Sequence, residues 1–262
     1  MKNILVCIKQ VPDDSVTVTL DTATGGPQLK DVTPVVNAFD TYALEMATRF
    51  KEANGGSVTV VTIGDEAALT PSLRSCLSVG AEHAYVVTEP AAVSALGKSY
   101  LLGKAAGKLA EGPFDVIFCG CESTDTADGQ AGVQLAEQLG LPVITNVLEL
   151  EPKDGGISAK QETEEGYRVV EAPCPCVVTV TKPAYEPRYP SIKSKMAARK
   201  MPIGTLSAAD AGAEEARVAA APAKRVVLSA PPQRQSGVKI QEKEAAESVR
   251  RAMEMLAGQK LI

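Results

Sequence analysis

The chain has 262 residues, 45% of them hydrophobic and 23% charged, with 27 Lys and Arg against 32 Asp and Glu for a net charge of −5. Charges of both signs are spread along most of the length, which leaves no general footprint for nucleic acid, and no apolar run approaches the roughly 20 residues of a membrane-spanning helix. Without an Arg-rich transit peptide or a secretory leader before Ile4, a cytoplasmic protein with no membrane insertion is expected, and the six cysteines sit mostly inside apolar runs, as small hydrophobes do in a reducing compartment.

Ile4 to Lys9 reads as a first strand, apolar until Lys9 and therefore central and covered on both faces. A polar excursion from Asp13 to Val35 follows. Asn37 suits a helix N-cap, Asp40 favours the helix dipole, and Tyr42, Ala43, Met46, Ala47 and Phe50 form an apolar stripe at helical spacing. Val58 to Ile63 is a second strand, and Asp65 can cap a helix over Glu66 to Leu77. Ala84 to Thr88 is a third strand, followed by a helix over Val93 to Leu109.

The next segment carries the most information. After Asp115, Val116 to Cys119 is an apolar strand that stops at Gly120 and opens into hydroxyls, carboxylates and further glycines through Gly132. Ser123, Thr124 or Asp125 can cap a helix over about 127–139, and a helix N-terminus beside Ser and Thr hydroxyls favours a phosphate. The βαβαβα rhythm up to this point predicts a parallel sheet with helices on both faces.

Beyond it, Val147 to Leu150, Ile157 to Gln161, Tyr167 to Glu171 and Cys176 to Thr181 are short strand-like runs between turn signals, which predicts an antiparallel extension of the sheet. Lys182 to Lys200 gathers Lys182, Arg188, Lys193, Lys195, Arg199 and Lys200 against the single acid Glu186, either a solvated surface or a site for an anionic partner. Gly204 to Pro232 is rich in Ala and Pro and reads as an arm, and Gln241 to Leu256 as an amphipathic helix for a partner subunit or for its own domain. The expected organisation is therefore α/β: a mostly parallel, doubly wound, Rossmann-like nucleotide-binding domain over 1–200 with an antiparallel extension, then an arm and helix over 201–262 that pack on a partner subunit.

The strand-end segment lacks Gly-x-x-x-x-Gly-Lys-Ser/Thr, and the first strand is followed by Lys9-Gln-Val-Pro rather than Gly-x-Gly-x-x-Gly, so neither P-loop transfer nor a usual dinucleotide fingerprint is expected. Asp125 and Asp128 suit ribose hydroxyls or a water shell. Metal binding by Cys119-Gly-Cys121 or Cys174-Pro-Cys176 is not expected, since each pair needs a bent backbone to bring both sulfurs to one ion. His83 is the only histidine, and no Ser or Cys has a local base, so triad catalysis has no support.

Val6-Cys-Ile-Lys-Gln-Val-Pro-Asp, Asn37-Ala-Phe-Asp-Thr-Tyr-Ala-Leu-Glu, the loop with Asp125, Gln130 and Gly132, Glu186-Pro-Arg-Tyr-Pro-Ser-Ile-Lys with Met196-Ala-Ala-Arg-Lys-Met-Pro-Ile, and Pro232 to Ile240 occur in the order seen in one family. Together they resemble the β subunit of electron-transfer flavoprotein, from residue 4 to about 240. The resemblance implies a heterodimer with an electron-transfer flavoprotein α subunit that holds or shares a redox FAD. It implies further that the β chain buries AMP or, in flavin-bifurcating members using NADH, a second FAD. Carried over by position, the nucleotide contacts are Cys7, Asn37, Ala38, Phe39, Asp40, Ile63, Gly120, Cys121, Glu122, Ser123, Thr124, Asp125, Thr126, Ala127, Asp128, Gly129, Gln130, Ala131 and Gly132. Docking of an acyl-CoA-type dehydrogenase falls to Arg188, Tyr189, Ile192 and Met196, and Glu162 lies near the family's acid that meets the α subunit's mobile domain. The implied role is an electron carrier with no catalytic residue of its own, and the other reading of the residues is a stand-alone nucleotide-binding protein. Two departures stand out. Ala38 replaces the family's usual proline, and Cys121-Glu-Ser-Thr stands where Lys/Arg-Gln-Ala-Ile is more frequent, so a positive charge near the phosphates is missing.

Overall fold

The computed structural model of the chain describes residues 3–21, 24–88, 93–109, 112–219, 228–230, 232 and 236–262. The apolar runs read from the sequence become parallel strands because helices cover them from both sides. In chain order the larger unit contains β1 (Asn3–Cys7), a small ribbon of β2 (Gln10–Pro12) and β3 (Pro34–Val36), α1 (Ala38–Asn54), β4 (Ser57–Ile63), α2 (Glu66–Ser78), β5 (His83–Thr88), α3 (Ala95–Ala106), β6 (Val116–Gly120) and α4 (Ala131–Leu139). It continues with β7 (Val143–Lys153), β8 (Gly156–Thr163), β9 (Gly166–Pro173), β10 (Cys176–Val180), α5 (Ile192–Ala198), β11 (Gly204–Ser207) and α6 (Glu215–Val218).

Nine strands form one sheet in the order β11-β5-β4-β1-β6-β10-β7-β8-β9. The pairs from β11 to β7 are parallel, and β8 and β9 add antiparallel to the far side of β7. Alternate residues of one strand serve opposite layers. Ile4, Val6, Val58, Val60 and Phe118 pack with α1 and α2 residues such as Ala43, Ala47 and Leu73, whereas Leu5, Cys7, Val61 and Ile117 pack with Leu101 and Ala105 of α3 and Leu135 of α4. Each fully buried aliphatic side chain of this kind stabilises the fold by about 1.5–3 kcal/mol. Asp65 caps α2 by accepting from the Ala68 N–H at 2.9 Å, as its position predicts.

The expected α/β sheet is present, with two differences in its second half. β7 and β10 belong to the parallel body, and only β8 and β9 make the antiparallel extension. Every residue of β10 is buried, the signature of a strand covered on both faces, and β10 inserts between β6 and β7 rather than following β9 at the edge. The segment read as the start of an arm also contributes structure: β11 pairs with β5 as the opposite edge strand, and α6 follows it.

The larger unit spans Met1–Val18 and Pro27–Val226, past the boundary expected near residue 200, and a second unit comprises Thr19–Gly26 and Val227–Ile262. Residues 220–227, 231 and 233–235 of the expected arm lie outside the described residues. Within the second unit α7 (Ala245–Gly258) buries no residue, leaves Val249 and Met253 exposed, and is laced by Arg250 paired to Glu247 and Glu254. Among the described residues no helix is long and apolar enough to cross a membrane.

At the start of α4, a Cβ on Gly132 would lie 2.5 Å from Thr179 Cγ2 of β10 and 3.3 Å from Cys119 Cβ of β6. Gly132→Val therefore overpacks the seam between α4 and the sheet and is expected to cost about 2–3 kcal/mol. Urea unfolding checks this as a lower midpoint with an unchanged slope.

Candidate functional site

In the sheet, β1 leads to β4 and β5 on one side while β6 and β10 lie on the other. That is a switch point, and in open parallel sheets ligands enter at the carboxyl ends of the strands there. A cavity of about 310 Å³ opens at this place, at the small end of the 300–1,000 Å³ usual for ligand pockets. Cys7, Asn37, Asp40, Ile63, Gly120, Cys121, Glu122, Ser123, Thr126, Asp128, Gly129, Gln130 and Ala131 all line it.

Asp40 organises the mouth. Its carboxylate, 6% exposed, accepts the Lys9 N–H at 2.7 Å and the Gly120 N–H at 3.0 Å, joining the ends of β1 and β6 to the first turn of α1. Burial pushes its pKa up to about 7, against the pull of the Lys9 N–H, the Asn37 side chain, the Gly120 N–H and the Lys9 charge. Gly120 is required for this approach, because a Cβ there would collide with the Asp40 carboxylate and sit 2.8 Å from Phe39 Cβ. Ala38 and Phe39 thus stand behind the cavity wall as the footing of α1.

Asn37 precedes α1 but its side chain makes no cap bond. Instead Nδ2 donates to the Glu122 carbonyl at 2.8 Å and Oδ1 accepts the Thr124 N–H at 3.0 Å. A buried amide that satisfies two backbone groups of a distant loop contributes more here than a cap on its own helix. The loop caps also differ from expectation. α4 begins at Ala131 after Gln130, because Ala127 (φ 51°) and Gly129 (φ 62°) take left-handed conformations that postpone the helix. Ser123, Thr124 and Asp125 are engaged elsewhere, Ser123 Oγ with Thr126 Oγ1 at 2.9 Å and Asp125 with Lys9.

Lys9 is the principal residue that the sequence reading left out. Its Nζ lies 2.8 Å from Asp125 Oδ1 and donates to Ser123 Oγ at 3.1 Å, so a loop without a cation of its own receives one from β1's end. The Lys9 charge and hydrogen bonds hold Asp125 below the usual carboxylate range despite partial burial that pushes the other way. The signal was a lone cation closing an apolar strand at the carboxyl edge. Ile8, Thr62, Cys119, Val93, Ala95, Lys98 and Leu102 complete the lining, the last four from α3 and its approach. The floor holds two neighbouring thiols, Cys7 and Cys119, and the hydrogen bond that the Cys119 thiol makes to Cys7 together with burial raises Cys119 well above the ordinary thiol range. Cys121 is pushed up to about 11 by burial, so neither Cys119 nor Cys121 supplies a ready thiolate. Cys174 and Cys176 do meet across a bent backbone, sulfurs 3.9 Å apart, but among the described residues no group of three or more ligands is placed for a metal ion.

The arrangement can hold an anion near Lys9 and the Ser123 and Thr126 hydroxyls, at the N-terminus of α4, with an apolar body against Ile8, Ile63 and Leu102. Among the described residues the lining pairs no nucleophile with a base for hydrolysis.

The segment read for docking lies elsewhere. Arg188 reaches back to α1, its Nε 2.8 Å from Glu45 Oε2 and its Nη2 2.9 Å from Glu52 Oε2, and its own N–H donates to Glu45 at 3.1 Å. Burial alone raises the Glu45 pKa, but bonds from Arg188 and Arg49 outweigh it and hold the group below the usual range. Arg49 stacks over the Tyr185 ring at 4.0 Å. With Arg188 acting as the anchor, Tyr189, Ile192 and Met196 are left 94%, 82% and 60% exposed. Glu162 is on a different element, β8, opposite Tyr167 of β9.

The electron transfer flavoprotein domain matches residues 30–211. The chain is 34% identical over 270 residues to the electron transfer flavoprotein subunit beta of Megasphaera elsdenii, with 99% of each chain covered. It is 36% identical over 239 residues to the subunit of the same name from Thermoanaerobacterium thermosaccharolyticum, covering 90% of each. To the caffeyl-CoA reductase-Etf complex subunit CarD of Acetobacterium woodii it is 35% identical over 210 residues, 80% of this chain and 79% of that one.

The Asp40 environment sets a pH signature. Its folded pKa of about 7 stands above the value of 3.8 expected for an unfolded chain, so the native state binds more protons between those values and loses stability as pH rises through them. Wild type is expected to lose up to about 1.4 kcal/mol per pH unit between pH 5 and 7 relative to Asp40→Asn, then to run parallel above pH 8. Urea midpoints across this range read it, and parallel curves throughout would refute it.

Proposed function

Because the chain belongs to the electron transfer flavoprotein family, among its β subunits, we propose that it serves as the nucleotide-holding half of an α/β electron carrier. In this reading it pairs with an α subunit that holds a redox FAD, receives electrons from acyl-CoA-type dehydrogenases, and is not an enzyme by itself. The observation that carries it is the cavity at the β1/β6 switch point, where Lys9, two hydroxyls and the start of α4 converge beside an apolar wall. A nucleotide fits the donor set: Lys9, Ser123 and Thr126 suit its phosphate, Asp128 its ribose, and Ile63 and Leu102 its base. Gly120 keeps the wall clear of any Cβ. The flavin, when bound, supplies the electron-accepting ring. The chain's own residues orient the nucleotide, with the Asn37 and Asp40 bonds holding the loop and the strand ends in place.

A second reading has FAD in this cavity and NADH as the electron source for bifurcation. It is favoured by the small residues Thr126, Ala127 and Gly129, with Thr126 and Gly129 on the lining itself. Mass spectrometry of small molecules released from the purified, denatured complex decides between the two. One FAD with one AMP per heterodimer is expected for the carrier, two FAD for the bifurcating form, and absence of any nucleotide would refute both.

The exposed triad Tyr189, Ile192 and Met196 is the surface we assign to the dehydrogenase. Truncating an apolar anchor at the centre of such a contact typically costs more than 1 kcal/mol. Ile192→Ala is expected to slow reduction by an acyl-CoA dehydrogenase about tenfold, with nucleotide content and melting temperature unchanged.

A further inference from the structure

We infer that Lys9 is the residue that makes the cavity select a phosphate-bearing ligand, and that Asp125 is its exchangeable partner, giving way when a phosphate arrives. This rests on the nucleotide reading of the cavity.

Lys9 is fixed at one end and movable at the other. Its backbone N–H is held at 2.7 Å by the buried Asp40, which pins the residue at the mouth, while its side chain is 43% exposed. The ammonium lies 2.8 Å from Asp125 Oδ1 and 3.1 Å from Ser123 Oγ. Lys9, Ser123 and Thr126 all face the cavity, whereas Asp125 is not part of the lining, so the ion pair runs from the lining outward. A pair exposed to this extent is screened by water and holds weakly, and exchanging a carboxylate for a phosphate in front of the same ammonium loses little.

The charge pattern makes the cation necessary. From Gly120 to Gln130 the loop carries Glu122, Asp125 and Asp128 and no Lys or Arg. The other charged groups on the lining are Asp40 and, from α3, Lys98. An incoming phosphate therefore meets two carboxylates of this loop on the lining, Glu122 and Asp128, and Lys9 is the cation that already donates to a hydroxyl of the loop, Ser123 Oγ. Asp125 keeps that ammonium extended over the loop, which orients it in advance at the cost of competing with the phosphate.

The test compares AMP with adenosine, which share base and ribose and differ by the phosphate, on the nucleotide-free full chain in its native assembly by calorimetric titration. Lys9→Met is expected to weaken AMP about tenfold, as loss of a charge-assisted bond does, and to leave adenosine unchanged. Asp125→Asn is expected to tighten AMP severalfold with adenosine again unchanged, and the gain is expected to vanish when combined with Lys9→Met. If both variants weaken AMP and adenosine alike, the pair only holds the loop in shape and the proposal fails. It fails equally if Lys98→Met reproduces the Lys9→Met result in full, because the effect is then one of general charge. Were wild type to bind AMP with Lys9→Met keeping the same AMP-to-adenosine ratio, the nucleotide reading would stand and this inference would not. Were wild type to bind neither, both would fall.

Discussion

Two backbone N–H groups, at the ends of adjacent parallel strands, converge on one buried carboxylate. Lys9 and Gly120 donate to Asp40, and through that contact β1, β6 and the first turn of α1 meet at a point. Parallel strands end with exposed backbone groups at their carboxyl edge, and a buried N–H without a partner costs about 1–3 kcal/mol. Asp40 satisfies two of them at once. In doing so it fixes where Lys9 starts, how closely the loop after Gly120 passes α1, and hence the shape of the cavity between them. Asn37, three residues earlier, does the same for the Glu122 carbonyl and the Thr124 N–H. The site is built by α1 holding the loop, and the loop's side chains then need only face inward.

This dependence explains what could be read in the sequence. Strands β1, β4, β5 and β6 were legible because buried parallel strands are uninterrupted apolar runs, and Asp65 was legible as a cap because its partner is three residues away. Gly120 to Ser123, Thr126 and Asp128 to Ala131, which line the cavity, fall together in the sequence because a strand, a glycine and a run of hydroxyls share one stretch of chain. What was hidden depends on contacts across long separations. Asn37 has the composition of a cap, and nothing nearby in sequence discloses that its partners are Glu122 and Thr124. Lys9 looks like the polite end of a strand until Asp125 and Ser123 are brought beside it. Arg188 reads as part of a basic surface, while the fold gives it to Glu45 and Glu52.

The place of β10 in the sheet has a different cause. β7, β8 and β9 follow one another through tight turns, and such runs read as a meander. β10 then leaves the meander and enters between β6 and β7, which only its complete burial reveals. Cys176 to Val180 is apolar at nearly every position, the same pattern as β1, so the evidence for a central strand was present and was outweighed by the neighbouring turns.

Helix α1 serves two ends of the molecule's chemistry. Asp40 faces the strand ends, whereas Glu45 and Glu52, seven residues apart and so on one face, receive Arg188 and anchor the segment that bears Tyr189 and Ile192. Each residue added to or removed from a helix rotates everything beyond it by about 100°. A length change between Asp40 and Glu45 would thus turn either the carboxylate away from β1 and β6 or the acidic face away from Arg188. An insertion or deletion along this stretch disturbs one end or the other whatever residue it adds or removes, which ties the spacing of these three acids to both functions at once.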